Sequence, residues 1–223
     1  MESENTPPVY RLLVMGANGG IGEQCVELAL QAGHKVTAVL RTPANLTLTH
    51  HNLEVIKGDI TDSRTFEKYL ENKDAVISAI GVSGGFGNDK PTTLYSAGNA
   101  NLLQAMQRAG IERVFFISAS AIEISPVLPF FIRLVAKYIV QKLLRNMYAD
   151  LRKMEALVKK SNTLWTIMRP PQLSNKPVTG QYRIAINAFL KNCLKISRAD
   201  VAHFIINNIN NPATYNATIE ISY

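Results

Sequence analysis

Cysteine is scarce in this sequence: Cys25 and Cys193 stand far apart, and neither has a second cysteine at the spacing of a metal knuckle or a redox pair. A disulfide scaffold and a zinc ribbon are thereby excluded, and both thiols read as inert core or helix residues. The four histidines, His34, His50, His51 and His203, have no carboxylate or cysteine around them at a ligand spacing, so no metal is expected. Long apolar runs are missing as well. The most apolar region, Val127 to Leu144, is interrupted by Arg133, Lys137 and Lys142, and no stretch reaches the ~20 uninterrupted apolar residues that a bilayer span needs. No membrane span is expected. The start, Met1-Glu2-Ser3-Glu4-Asn5, is acidic where a secretory signal is basic, which predicts an intracellular, cytoplasmic protein.

Acid is outnumbered by base, 17 Asp and Glu against 24 Lys and Arg, a formal charge of +7. Such an excess raises nucleic acid or an anionic membrane as partners. Many of the positive residues, however, fall between Arg133 and Lys160, interleaved with apolar positions at helical spacing. That pattern reads as a solvated helix face, or as a surface drawing in an anionic substrate or cofactor. A small-molecule partner is expected rather than nucleic acid.

The 223 residues, 47% of them hydrophobic, suffice for one large core and predict a single domain. Its residues 8–125 would bind the dinucleotide, and residues 126–223 would supply substrate-side helices, a loop and C-terminal elements. Val9 to Met15 is a β-branched apolar run, followed by a glycine cluster and by Ile21 to Ala32 with apolar residues at helical spacing. Strand, tight turn and helix follow from that order. Strands are then predicted at Lys35–Leu40, Leu53–Ile56 and Ala75–Ile80, and a helix at Ser63–Leu70. The alternation continues with helix Leu94–Ala109, strand Arg113–Ile117, a long helical region from about Leu128 to Lys160 and strand Leu164–Met168. Past Arg169-Pro170-Pro171 come a short strand at Gln181–Ala185, a helix at Arg198–Asn207 and a final strand at Ala217–Ser222. Alternating β and α elements predict a Rossmann-type, doubly wound α/β fold: a mostly parallel sheet in three α/β/α layers with right-handed crossovers. Strands without polar alternation belong in such a sheet, covered on both faces.

The motif Gly16-Ala17-Asn18-Gly19-Gly20-Ile21-Gly22 lies between the first strand and the first helix. Gly16 permits a sharp exit from the strand, Gly19 lets the backbone approach a pyrophosphate, and Gly22 allows close helix packing. The pyrophosphate then meets free amides at the positive helix end. At the tip of the second strand stand Arg41 and Thr42 rather than an acidic residue. A planar guanidinium suits the 2′-phosphate of NADP, so NADP(H) is expected over NAD(H). Gly58-Asp59-Ile60 follows the third strand, where the Asp59 carboxylate would accept from the adenine amino group, and Asp62 is expected to cap the next helix. Ala79-Ile80-Gly81 ends the fourth strand, where small residues let the nicotinamide ribose lie against the backbone.

With these residues in place, the chain resembles the atypical short-chain dehydrogenase/reductase group, in particular the NAD(P)H-binding domains of the biliverdin reductase B, flavin reductase and NADH-flavin reductase subset. The matching segments are the glycine motif, Leu40-Arg41, Gly58-Asp59, Val76 to Gly81, Val114 to Ser118, Trp165 to Pro171 and Ile196 to Ala202, with Pro177 to Tyr182 more particular to the flavin reductase-like subset. The resemblance implies that Ser118 and Pro170 also border the cofactor. In the wider superfamily a serine after the fifth strand and a tyrosine followed four residues later by lysine transfer the proton. Ser118, Ser120 and Tyr148 are the candidates here, but Arg152 occupies the lysine position and Lys153 lies one step further, about 100° around the helix. Leu151 falls where biliverdin reductase B carries a histidine. The resemblance therefore implies an NADPH-dependent oxidoreductase that passes hydride to a planar acceptor such as a flavin, quinone or tetrapyrrole, which collects its proton from solvent. A non-catalytic NADP(H)-binding sensor and a sugar-nucleotide epimerase-like enzyme stand as alternatives. Phe130, Phe131, Leu134, Tyr138 and Ile139 would form an apolar lid over the substrate, or pack on the sheet or on a second subunit, the chain being a monomer or a homodimer.

Overall fold

The computed structural model describes residues 8–81 and 90–223. The acidic start, residues 1–5, lies outside them. In chain order the elements are β1 (Arg11–Met15), α1 (Gly20–Gln31), β2 (Lys35–Leu40), β3 (Leu53–Lys57), β4 (Ala75–Ser78), α2 (Leu94–Ala109) and β5 (Arg113–Ile117), then α3 (Phe130–Val135), α4 (Gln141–Leu143), α5 (Arg145–Val158) and β6 (Leu164–Arg169), and finally β7 (Gln172–Ser174), β8 (Arg183–Ile186), β9 (Lys195–Ser197), α6 (Arg198–Asn207) and β10 (Ala217–Ser222). Eight strands form one sheet in the order β3-β2-β1-β4-β5-β6-β10-β8. All its pairings are parallel except β8 with β10. The first six strands follow the Rossmann order, whose reversal point lies between β1 and β4.

The strands are apolar on both faces because each face meets helices. Along β1, Leu12 and Val14 pack into one buried cluster with Cys25 and Val26 of α1 and Val201 and Ile205 of α6. Leu13 and Met15 point into a second cluster with Leu102 and Met106 of α2 and Leu151 and Met154 of α5. Successive side chains of a strand go to opposite sides, so the split defines three layers, α1 and α6 on one face and α2 and α5 on the other. Both cysteines are buried and unpaired, and burial pushes the Cys193 thiol up to about 12.

Two expectations need correction, and one feature was not foreseen. The predicted helix at Ser63–Leu70 is instead two 3₁₀ turns, Ser63–Thr65 and Glu67–Leu70. Asp62 caps the first by accepting from the Arg64 amide, and Phe66 leaves helical geometry between them at φ −133° with its ring fully buried. The long helical region from Leu128 is broken. It begins at Phe130 behind Pro129, passes through a π segment at Ala136–Val140, and stops where Leu144, at φ −115°, buries its side chain before α5 starts. Core burial of one side chain there overrides the helical run. Last, β7 and β9 pair as a small parallel sheet, Leu173 opposite Ile196, which three-residue strands did not announce.

Candidate functional site

A cleft of about 580 Å³ opens at the carboxyl ends of β1 to β6, within the range of small-ligand sites. Its floor is the turn from β1 into α1. Gly16 sits at φ +76°, and a Cβ there would lie 2.7 Å from the carbonyl oxygen of Ala79. The turn is closed by the Gly19 amide donating to Gly16 O at 2.9 Å. A Cβ on Gly22 would run into that same carbonyl. The start of α1 carries no side-chain cap, and the first turn of a helix leaves its amides without intrahelical partners. Bare donors and the positive helix end therefore face the cleft, a cradle that fits a diphosphate.

Of the expected cofactor residues, Gly16, Asn18, Gly19, Gly20, Ile21, Arg41, Gly58, Asp59, Ile60, Ala79, Ile80, Gly81, Ser118 and Pro170 line this cleft. Ala17 does not; it is fully buried in the core. Thr42 does not line it either, and its carbonyl accepts from Asn45 in the turn after β2. Arg41 is exposed at the rim. Asp59 already accepts from the amide and hydroxyl of Thr61, at 2.9 and 2.8 Å, through one oxygen.

The three expected proton-transfer residues are not brought together. Ser118 lines the cleft, but its hydroxyl donates to Glu155 Oε1 at 2.7 Å. Ser120 is half-buried in the 3₁₀ turn Ser120–Ile122, off the cleft wall, its amide donating to Pro170 O at 3.0 Å. Tyr148 lies in the core under α5, where burial pushes its phenol up, against a smaller opposing pull from Arg152. Arg152 spends its guanidinium on the carbonyl of Ile122, at 3.0 and 2.7 Å, so it holds a turn and cannot serve a proton relay. None of Phe130, Phe131, Leu134, Tyr138 and Ile139 lines the cleft; all five are exposed.

Residues to which the sequence reading gave no cofactor or proton-transfer role complete the walls. Leu94 and Tyr95 come from the start of α2, Met147 and Leu151 from α5, Leu173 from β7 and Arg198 from α6. Tyr95 is placed by Asp150, whose carboxylate accepts from the amides of Tyr95 and Ser96 at 2.9 and 3.3 Å and from the Ser96 hydroxyl. Arg198 lies across Gly20, so close that a Cβ there would collide with its side chain. Its Nη1 donates to Asn175 Oδ1 at 2.6 Å. Its presence in the Ile196 to Ala202 motif was the available signal. Behind the wall, Arg169 at the end of β6 donates to Glu155 and to Glu123, the latter at 3.1 and 2.9 Å. These two carboxylates, against the opposing effect of burial, push the Arg169 guanidinium still higher than usual, and the ion pairs fix Pro170 at the cleft. Among the described residues no group of His, Cys, Asp and Glu is arranged to hold a metal ion, and no helix is long and apolar enough to cross a membrane.

A family model described as NAD(P)H-binding matches residues 16–212. The chain belongs to the NAD(P)H-binding family. Among its relatives, YhfK of Bacillus subtilis, described as an uncharacterised sugar epimerase, is 28% identical over 95% of this chain and 94% of its own. Of three further curated relatives the chain spans 65%, 34% and 34% of the length. Solved structures with this fold include a short-chain dehydrogenase/reductase of Veillonella parvula in complex with NADP, 18% identical with a TM-score of 0.75 and covering 97% of this chain and 95% of that one. ChuY, an anaerobillin reductase of Escherichia coli O157:H7, is 22% identical with a TM-score of 0.69, covering 94% and 96%. The expected NAD(P)H-binding domain and the Rossmann-type fold are borne out, and a nicotinamide dinucleotide is the cofactor class of the family.

Proposed function

We propose that this member of the NAD(P)H-binding family is an NADPH-dependent reductase of a planar acceptor: a flavin, a quinone or a tetrapyrrole-like ring. It works as one domain, with residues 8–125 holding the cofactor and residues 126–223 forming the substrate side, in the cytoplasm, as a monomer or homodimer. The observation that carries the reading is the make-up of the cleft wall. It offers the bare amides of the glycine turn and the guanidiniums of Arg41 and Arg198, together with the apolar side chains of Ile117, Met147, Leu151, Pro171 and Leu173. The amides and guanidiniums suit a phosphorylated dinucleotide. The apolar side chains suit a flat ring.

Bound in the cleft, the nicotinamide supplies a hydride. The amides at the start of α1 hold the diphosphate, Arg41 at the tip of β2 reads the 2′-phosphate, and Ala79-Ile80-Gly81 present backbone without bulk to the nicotinamide side. Ser118 keeps its hydrogen on Glu155 and Tyr148 stays in the core, so the proton comes to the acceptor from water, which a conjugated ring tolerates. The reductase named in ChuY is in keeping with this chemistry. The epimerase name of YhfK points to an alternative that needs a protein proton carrier, for which Tyr148 and Arg152 are wrongly placed.

Purified protein mixed with NADPH and a panel of flavins and quinones tests the proposal through loss of the reduced-nicotinamide absorbance. Turnover with at least one planar acceptor is expected. Saturable NADPH binding without turnover on any of them overturns the catalytic reading and leaves the sensor, which the displaced Tyr148 favours.

A further inference from the structure

The helical segment 130–143 faces outward in a way that neither the cleft nor the core explains. Its underside, Ile132, Ala136 and Val140, is half-buried, Val140 packs on the core, and the Gln141 amide donates to Ala121 O at 3.1 Å. Above that contact two apolar rows run along the segment at i, i+4, i+8 spacing: Phe130, Leu134, Tyr138 and Phe131, Val135, Ile139. Phe130 is 68% exposed, Phe131 69%, Tyr138 61% and Ile139 58%. A contiguous exposed apolar strip on this scale marks a contact surface.

Charge says what the contact is with. Between Glu123 and Asp150 the chain carries no acidic residue, while Arg133, Lys137, Lys142 and Arg145 are all present and exposed. Arg133 and Lys137, one turn apart, form a basic row beside the apolar ones. A second copy of this chain fits poorly. In a two-fold contact the same patch meets itself, which would bring two unneutralised basic rows together. A phosphate-bearing lipid surface satisfies both features at once, since apolar side chains enter at headgroup depth while long basic side chains reach phosphates from the flank. The segment is about 21 Å long, too short to cross a hydrocarbon core of ~30 Å, so it lies flat.

We propose that segment 130–143 docks the protein onto an anionic lipid bilayer, inserting Phe130, Phe131, Tyr138 and Ile139 and pairing Arg133 and Lys137 with headgroup phosphates. The contact is independent of the cofactor site. Co-sedimentation of the full chain with vesicles of phosphatidylglycerol and phosphatidylcholine, and with vesicles of phosphatidylcholine alone, tests it. Binding to the anionic vesicles should exceed binding to the neutral ones by about tenfold or more, because each basic residue near such a surface adds roughly 1 kcal/mol. It should fall by a similar factor in Arg133→Glu/Lys137→Glu and in Phe130→Ser/Phe131→Ser, with melting temperature and NADPH affinity kept. Failure of the wild type to sediment with either vesicle overturns the proposal, as does undiminished binding by both folded variants. So does sedimentation velocity showing a dimer that Phe130→Ser/Phe131→Ser converts to monomer.

Discussion

The hydroxyl of Ser118, on the wall of the cleft, donates its hydrogen to the buried carboxylate of Glu155 2.7 Å away, and the same carboxylate is held by Arg169. A hydroxyl so engaged stiffens the end of β5 and is a poor proton donor to anything in the cleft. Ser118→Ala should therefore change kcat of the proposed reductase by less than about threefold, whereas loss of a general acid costs 10²- to 10⁴-fold. Tyr148→Phe should be equally mild, since the phenol lies in the core. Steady-state kinetics at saturating NADPH measures both; a hundredfold drop in either variant would return that residue to the chemistry.

In the proposed function, Arg41 is the residue that separates the two dinucleotides. It stands exposed at the tip of β2 with the cleft beside it, and hydrogen bonds to a charged group are worth about 1.5–3 kcal/mol. Arg41→Asp removes them and adds a like charge. Calorimetry should find NADPH affinity lowered by roughly 30-fold or more, with NADH changed by less than about threefold. Equal losses for both would show that the arginine does not read the extra phosphate.

Arg198 should behave differently, because it lies over Gly20 at the start of α1, where the diphosphate common to both dinucleotides would sit. Arg198→Ala is expected to weaken NADPH and NADH alike, by about tenfold. Gly20→Ala should reproduce part of that loss with little change in melting temperature. The added methyl group meets the flexible end of the arginine side chain, which can swing away, whereas at Gly16 it would meet backbone. A selective loss for NADPH in Arg198→Ala would move this side chain to the 2′-phosphate instead.

Most elements were legible because their periodicity is local. β2, α2, β5, α6 and β10 have the bounds that spacing predicts, and each is bracketed by a glycine, a cap or a change of period. The glycine turn was legible for the same reason at Gly22, whose Cβ would meet the carbonyl of Gly16 within the turn, and at Gly16 through its positive φ, although the backbone that crowds Gly16 is the distant Ala79. What spacing could not disclose depends on distant partners. β7 and β9 are three residues each and exist through their pairing, and that pairing brings Leu173 and Arg198 to the cleft. Tyr148 stands at a suggestive place in the sequence, yet the turn of α5 that follows the break at Leu144 sends it into the core and presents Met147 and Leu151 to the cleft.

The loop behind Arg198 depends on one buried carboxylate, and that gives the fold an acid limit. Asp200 is fully buried and accepts from the amides of Thr179 and Gly180 at 2.8 and 2.9 Å, from the Ser197 hydroxyl at 3.0 Å and from the Tyr223 phenol at 2.7 Å. Burial alone would raise its pKa, but these donors outweigh it and hold the carboxyl below its ordinary value. Arg169 does the same for Glu123, chiefly by hydrogen bonding. The folded chain then binds fewer protons than the unfolded one at moderately acid pH. The resulting stability is complete above the unfolded carboxylate pKa of about 4 and is lost as pH falls through the lower folded values. Asp200→Asn, which keeps the shape but mismatches several donors, should lower stability at neutral pH by about 2 kcal/mol, or roughly 4–8 °C in Tm for a chain of this length. Its melting temperature should also fall less steeply than the wild type's between about pH 5 and pH 3. Parallel curves for the two proteins over that interval would show that Asp200 does not set the acid limit.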